Sequence, residues 1–310
     1  MYLEENINTG YNKIMNEKKT VVGVTGANGF IGRNIVNKLR GGGFRVISLQ
    51  RTIPSSSNDE TRVFDLCKLD TINEELLYGI DILIHSAALV HKPQADKHLY
   101  KTMNFEATKK LYELSTNLNI KKFIFLSTVG VYGKTSYKYP IDTNFPVSPK
   151  SEYGVSKLDS ENYLLDKKRD REDKEFPKIS ILRLPLVVGK NAPGNYGLLE
   201  KLSKLKFPLP FGSANNQRTV VSIDMVVDTI TQGCLNLNEH LGINLLGNDI
   251  PISTKQLIIS LRDENGLKPN LFPIPKLFMK FFLSLIGKRK VYEQLFEDLV
   301  FINSTDKSNN

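Results

Sequence analysis

The chain is poor in cysteine. Cys67 and Cys234 are the only two among 310 residues, which excludes a disulfide framework and makes the cytoplasm the expected compartment. Long apolar runs are also missing: the longest, 274–286, is interrupted by Lys276 and Lys280 and is too short to span a bilayer. No basic n-region, apolar core and small-residue cleavage site open the sequence, so secretion is not expected. Histidine is scarce, and His85 and His91 have no partners at metal-ligand spacing; they read as structural or groove-lining, and no metal is expected. The formal charge is +9, but the basic residues are spread along the chain without a basic arm or an aromatic-interleaved patch. Nucleic acid is therefore not an expected partner, and the positive balance suits phosphate-bearing ligands instead.

What is present is an alternation. Residues 1–19 are polar and read as a loose leader. The β-rich run Thr20–Thr25 reads as a buried strand, followed by a helical face of Ile31, Ile35, Val36 and Leu39 that ends at Gly41-Gly-Gly43. Further strands are expected at Arg45–Leu49, Arg62–Phe64, Asp81–Ile84, Lys121–Leu126 and Ile179–Arg183. Long helices are expected over Gln94–Leu118 and Tyr153–Lys168, with a solvated helix end and loop from Asp166 to Lys174. This spacing predicts an α/β fold, a Rossmann-type doubly wound parallel sheet covered on both faces. The dinucleotide-binding part is expected over 20–188 with returning segments near 219–246, and a smaller, discontinuous substrate region over 189–310.

The turn after the first strand reads Thr25-Gly-Ala-Asn-Gly-Phe-Ile-Gly32. Gly26 permits a tight turn, Gly29 lets the backbone approach a pyrophosphate, and Gly32 lets helix and sheet pack closely. Asn28, Phe30 and Ile31 complete the loop, and the helix N-terminus supplies N–H groups and a positive dipole end. The strand before and the helix after supply the context this motif requires. At the end of the second strand, where an acidic residue usually accepts bonds from ribose hydroxyls, the chain has Gln50-Arg51-Thr52. A guanidinium there suits a 2′-phosphate and favours NADP(H) over NAD; Arg51 stacking on adenine or facing solvent is the alternative. Asp65 and Leu66 are placed to bracket adenine, with an ordinary helix cap as the competing role.

Tyr153-Gly-Val-Ser-Lys157 spaces a phenol and an amine one helical turn apart, so both project from one face. A neighbouring ammonium lowers a phenol's pKa and fits it for proton transfer. Ser127 and Thr128 end the fifth strand on the side where such sheets bind ligands, and a hydroxyl there can hold a substrate oxygen. A strand-end turn is the plainer role for Thr128.

These segments, in order with Ile84-His-Ser-Ala-Ala88, Asn104 in Met103–Thr108, Ser127–Gly133 and Arg218-Thr-Val-Val-Ser-Ile-Asp224, resemble one family. The chain is similar from Thr20 onward to the extended short-chain dehydrogenase/reductases of the NAD-dependent epimerase/dehydratase family. The resemblance implies a catalytic trio of Thr128, Tyr153 and Lys157, with Lys157 also holding the nicotinamide ribose. It implies a cofactor groove lined by Ala87, Ala88, Ser127 and Pro185, and substrate contacts from Thr128, Asn195 and Arg218, the last on a diphosphate. Asn104 reads as a helix-packing residue. A UDP-hexose substrate and a homodimer are the implied partners.

The fold hosts several chemistries. Val129-Gly130 stands where dehydratase relatives carry an Asp-Glu pair, which removes the acid and base an elimination needs. Arg51, and Leu186 within Arg183–Gly189, depart from the UDP-galactose epimerase pattern. Phe207-Pro-Leu-Pro210, Asn215–Arg218, Ile274-Pro-Lys276 and Gly287-Lys288 resemble a subgroup from bacterial O-antigen loci. The leading expectation is reduction of a UDP-4-keto-6-deoxy-N-acetylhexosamine. The alternatives are a UDP-glucose or UDP-N-acetylglucosamine 4-epimerase and, outside enzymes, a dinucleotide-binding regulator without turnover. Leu277, Phe278, Phe281, Phe282 and Leu285 form an apolar helix face, expected to pack over the substrate region rather than to lie on a membrane.

Overall fold

A computed structural model describes residues 19–53, 60–90, 96–169 and 177–304. The leader up to residue 18, His91 and most of the charged loop after Asp166 lie outside the described residues. Strand β1 (Val21–Thr25) is β-branched at four of its five positions and buried throughout, the signature of a central parallel strand. Its neighbours are β2 (Arg45–Gln50), β3 (Thr61–Val63), β4 (Ile82–His85), β5 (Lys122–Thr128), β6 (Lys178–Leu184) and β9 (Gly242–Leu245). They form one seven-stranded sheet in the order β3-β2-β1-β4-β5-β6-β9, and every pairing is parallel. The order reverses between β1 and β4, and in such sheets ligands bind at the carboxyl ends of the strands at that point. A separate parallel pair joins β7 (Leu186–Val188) to β8 (Val220–Ser222), which the sequence pattern does not reveal.

Alternation along the strands divides the core. Val22 and Val24 face the helix α1 (Phe30–Gly41), through Ile35, Val36 and Leu39, and the helix α7 (Ile223–Leu235), through Val226 and Ile230. Val21, Phe123, Phe125, Ile179 and Ile181 face the other way. They pack with Leu77 of α2 (Glu74–Leu77), Leu111 of α4 (Ala107–Asn117) and Leu164 of α5 (Glu152–Arg169). The expected helix from Gln94 is described from Lys97 onward and is not continuous. A π-helical turn, Lys101–Glu106, separates α3 (Lys97–Tyr100) from α4 and widens the helix where Asn104 is buried.

At the sheet's rim, buried Lys122 donates to the carbonyls of Gly233 (2.9 Å) and Glu239 (2.7 Å), and burial pushes its amine down to about 8. A third core lies beyond the sheet. It joins Tyr196 and Leu199 of α6 (Gly194–Ser203), Ile258 and Leu261 of α8 (Thr254–Glu264), and Tyr292 and Phe296 of α10 (Arg289–Phe296). The helix α9 (Lys276–Leu285) contributes only Met279 and Leu283 to that core. Here the structure corrects the sequence expectation: Leu277, Phe278, Phe281, Phe282 and Leu285 are exposed, because the two inward residues occupy the opposite side of the helix.

Candidate active site and dinucleotide groove

The site is assembled around the turn that leaves β1. Gly26 has φ +67°, in the left-handed region, and its N–H donates to the Leu49 carbonyl at 2.9 Å. A Cβ at Gly26 would also fall 2.9 Å from the Ala87 backbone, and one at Gly32 would fall 2.1 Å from the Gly26 carbonyl oxygen. Both contacts are shorter than any real Cβ tolerates, so helix α1 approaches β1 and β4 only with glycine at these places. Gly29 caps α1 without a side-chain hydrogen bond, and the first turn carries no acidic residue. The helix dipole there is therefore open to an anion.

From that loop a groove of about 500 Å³ runs along the carboxyl ends of β1, β2, β4, β5 and β6. All fifteen cofactor residues expected from the sequence line it. Gly26, Asn28, Gly29, Phe30, Ile31 and Gly32 form its floor. Arg51, Asp65 and Leu66 stand at one end, Ala87 and Ala88 in the middle, and Ser127, Tyr153, Lys157 and Pro185 at the other end. Its run across five strand ends, its apolar walls and its glycine cradle fit a dinucleotide. Gln50, Phe64, Met103, Val187 and Pro193 also line it and were missed as site residues. Only Gln50 carried a signal, through its place next to Arg51; the rest arrive by tertiary folding. Asp65 lines the groove, and its Oδ1 accepts from the Cys67 N–H at 3.0 Å, which closes a local turn rather than capping a helix.

Helix α5 brings Tyr153 and Lys157 to the same groove. Burial pushes the Tyr153 phenol up to about 12 and the Lys157 amine down to about 7, the latter partly opposed by Glu161. Lys157 donates to the Leu126 carbonyl at 2.7 Å and sits 4.3 Å above the Phe125 ring. Thr128 caps the short turn after β5, its hydroxyl accepting from the Gly130 N–H at 3.0 Å, and it does not line the groove. Ser127 does line the groove, and its hydroxyl donates to Glu161.

Glu161 is one turn beyond Lys157 and wholly buried. Arg183 holds it with two guanidinium nitrogens, the shorter contact 2.6 Å, and Arg183 also donates to the Tyr132 hydroxyl at 2.8 Å. This closed network fixes the end of β5 beneath the groove.

Two polar residues act as structure. His85 is buried between Thr25 (2.8 Å) and Thr108 (2.9 Å), and burial pushes its pKa well down, so it stays neutral. Asn104 accepts from the Leu89 N–H at 2.7 Å and donates to the Ser156 hydroxyl at 3.0 Å, pinning the groove wall to α5. The two outlying substrate candidates do not line the groove. Asn195 is exposed in the first turn of α6. Arg218 donates through one guanidinium nitrogen to the carbonyls of Thr135, Glu293 and Glu297, and burial pushes it down to about 10.

A parallel α/β sheet with a glycine cradle at its reversal point and a Tyr-Lys pair opposite defines a dinucleotide-dependent short-chain dehydrogenase/reductase. A sequence model of the NAD dependent epimerase/dehydratase family matches residues 22–233, and the chain belongs to that family. It is 27% identical to a UDP-glucose 4-epimerase of Vibrio cholerae over 88% of this chain and 84% of that protein. It is 22% identical to the N-acetyl-alpha-D-glucosaminyl-diphospho-ditrans,octacis-undecaprenol 4-epimerase of Escherichia coli O157:H7, over 84% and 76% of the two chains. Among solved structures, the UDP-N-acetylglucosamine 4-epimerase from Bacillus cereus superposes with a TM-score of 0.71 at 21% identity, covering 94% of this chain and 90% of that one. The Bacillus cereus UDP-glucuronic acid 4-epimerase, solved with NAD, gives 0.69 at 21% identity over 93% and 92%. At that identity the structural likeness carries the fold.

Proposed function

We propose that this chain transfers hydride at C4 of a nucleotide-linked hexose and works as a reductase of a UDP-4-keto-6-deoxy-N-acetylhexosamine. The observation that carries the direction is Arg51, which lines the groove at the end of β2 where an acidic residue would select the unphosphorylated ribose. A guanidinium there favours NADPH, which a reductase takes from solution and returns oxidised. An epimerase instead keeps its cofactor through a closed cycle.

When bound, the dinucleotide supplies the hydride. Tyr153, held protonated by burial, gives its phenolic proton to the C4 oxygen, so ketone, hydride and proton together make the alcohol. Lys157 lies one turn away, at the nicotinamide end of the groove, where it holds the ribose and returns Tyr153 to its protonated form. Ser127 and Thr128 stand at the end of β5, where a hydroxyl orients the C4 oxygen. Arg218 and Asn195 are the candidates for the diphosphate and sugar, and the protein works as a homodimer.

A second reading has its own support. The relatives named above are 4-epimerases, and one was solved with NAD. Mass spectrometry of two reactions separates the readings: the 4-keto sugar with NADPH, and UDP-glucose or UDP-N-acetylglucosamine with NAD. Stoichiometric NADPH use and a product heavier by two hydrogens is the expected result. An isomer of unchanged mass with no net cofactor use overturns the reductase in favour of the epimerase.

A further inference from the structure

Helix α9 stands out among the described residues because it leaves its apolar face in solvent. Leu277 is 82% exposed, Phe281 68% and Leu285 73%, and Phe278 and Phe282 lie on the same side. Ile286, directly after the helix, is exposed as well. The spacing i, i+1, i+4, i+5, i+8 is a single broad stripe of an α-helix, and the opposite stripe is anchored to the third core through Met279 and Leu283. The helix thus packs through Met279 and Leu283 and turns its greasy side outward. No described helix is long and apolar enough to cross a membrane.

Charge decides what covers this face. From Asn265 to Tyr292 the chain carries Lys268, Lys276, Lys280, Lys288, Arg289 and Lys290 and no acidic residue. Lys276 and Lys280 flank the stripe one helical turn apart, and Lys288-Arg289-Lys290 follow its carboxyl end. Asp263 and Glu264 precede this run; after it, Glu293 pairs with Arg289 and Glu297 lies 3.8 Å from Lys280, which leaves Lys276, Lys288 and Lys290 without an ion pair among the described residues. An apolar stripe edged by a run of chain that carries a net positive charge matches an anionic bilayer surface, with rings among acyl chains and ammonium groups at the phosphates. A second copy of the chain would bring the same cations against themselves.

We propose that the protein is peripherally bound to anionic membranes through α9 and its flanking lysines. The proposal holds whichever reaction the groove performs.

The test is sedimentation of the full chain with vesicles of phosphatidylcholine plus phosphatidylglycerol, beside vesicles of phosphatidylcholine alone. The protein is expected to pellet with the anionic vesicles only, and added salt should release it. A Phe278→Ser, Phe281→Ser double variant should partition at least about tenfold more weakly. Neither residue lines the groove, so dinucleotide affinity by isothermal titration calorimetry should be unchanged and serves as the folding check. Lys276→Glu with Lys288→Glu should weaken vesicle binding without touching the apolar face. Two outcomes overturn the proposal. In one, the wild-type chain stays in the supernatant with anionic vesicles. In the other, light scattering reveals a dimer that the double phenylalanine variant abolishes, which would give the face to a second copy.

Discussion

The dinucleotide groove and the carboxyl-terminal region around the third core are built on different terms. In the groove the backbone does the recognising. Gly26 and Gly32 sit where no Cβ fits, and the sheet order puts their loop beside β4, where the Thr25 hydroxyl also accepts from the Ser86 and Ala87 N–H groups at 3.1 Å each. Around the third core, side chains do the positioning. Arg218 reaches three carbonyls, two of them far along the chain in and after α10, and the core itself joins helices separated by long loops. Backbone-set sites survive wide sequence change, whereas side-chain-set sites diverge with their partners. This contrast accounts for a family match that covers residues 22–233 and stops short of α8, α9 and α10.

Substitutions can sharpen or break this contrast. The largest effect is expected at Tyr153. Tyr153→Phe should cut turnover by about 10²- to 10⁴-fold and leave the cofactor Kd within a small factor, since the role proposed for the phenol is confined to the proton. Single-turnover kinetics with a parallel cofactor titration checks this, and retained turnover removes Tyr153 from the reaction. Next is Glu161→Gln, which leaves the Arg183 guanidinium buried without its counter-charge. A loss of about 3–5 kcal/mol is expected by denaturant titration, with glycine-loop binding of the cofactor recovered wherever the variant remains folded. In the carboxyl-terminal region, Arg218→Ala should cost about 1–3 kcal/mol of stability, because three carbonyls lose a donor. If Arg218 also holds the diphosphate, the KM for the nucleotide sugar rises while that for the cofactor does not; parallel shifts in both would erase the distinction between the two regions.

Legibility in the sequence follows the same division. The glycine loop, the strands and the Tyr153–Lys157 pair were readable because each depends on local pattern: an unbroken β-rich run in β1, a left-handed turn at Gly26, one helical turn between phenol and amine. The glycine-loop residues, Tyr153 and Lys157 line the groove for that reason, whereas Ala87, Ala88 and Pro185, which also line it, were expected from the family resemblance. Thr128 was harder, since a strand-end hydroxyl caps its own turn as readily as it meets a ligand, and here it accepts from Gly130. The pairing of β7 with β8, the π-helical turn at Asn104 and the Glu161–Arg183–Tyr132 network depend on contacts between distant segments, and no local pattern announces them. The outward face of α9 was visible as an apolar stripe. Its orientation was not, because periodicity gives the stripe but not which side the rest of the protein covers.

The parallel pairing of β6 with β9 and the reach of Lys122 to Gly233 and Glu239 bear on how the chain is made. As the chain leaves the ribosome, β1 through β6 emerge well before the segment that completes them. Until Gly233 and Glu239 follow, the Lys122 amine lacks its carbonyl acceptors and β6 is an open sheet edge, which templates aggregation. The cofactor half is therefore not a module the cell can finish early. A nascent chain must wait, shielded by a chaperone or by speed, for residues that belong to the last third of its own sequence.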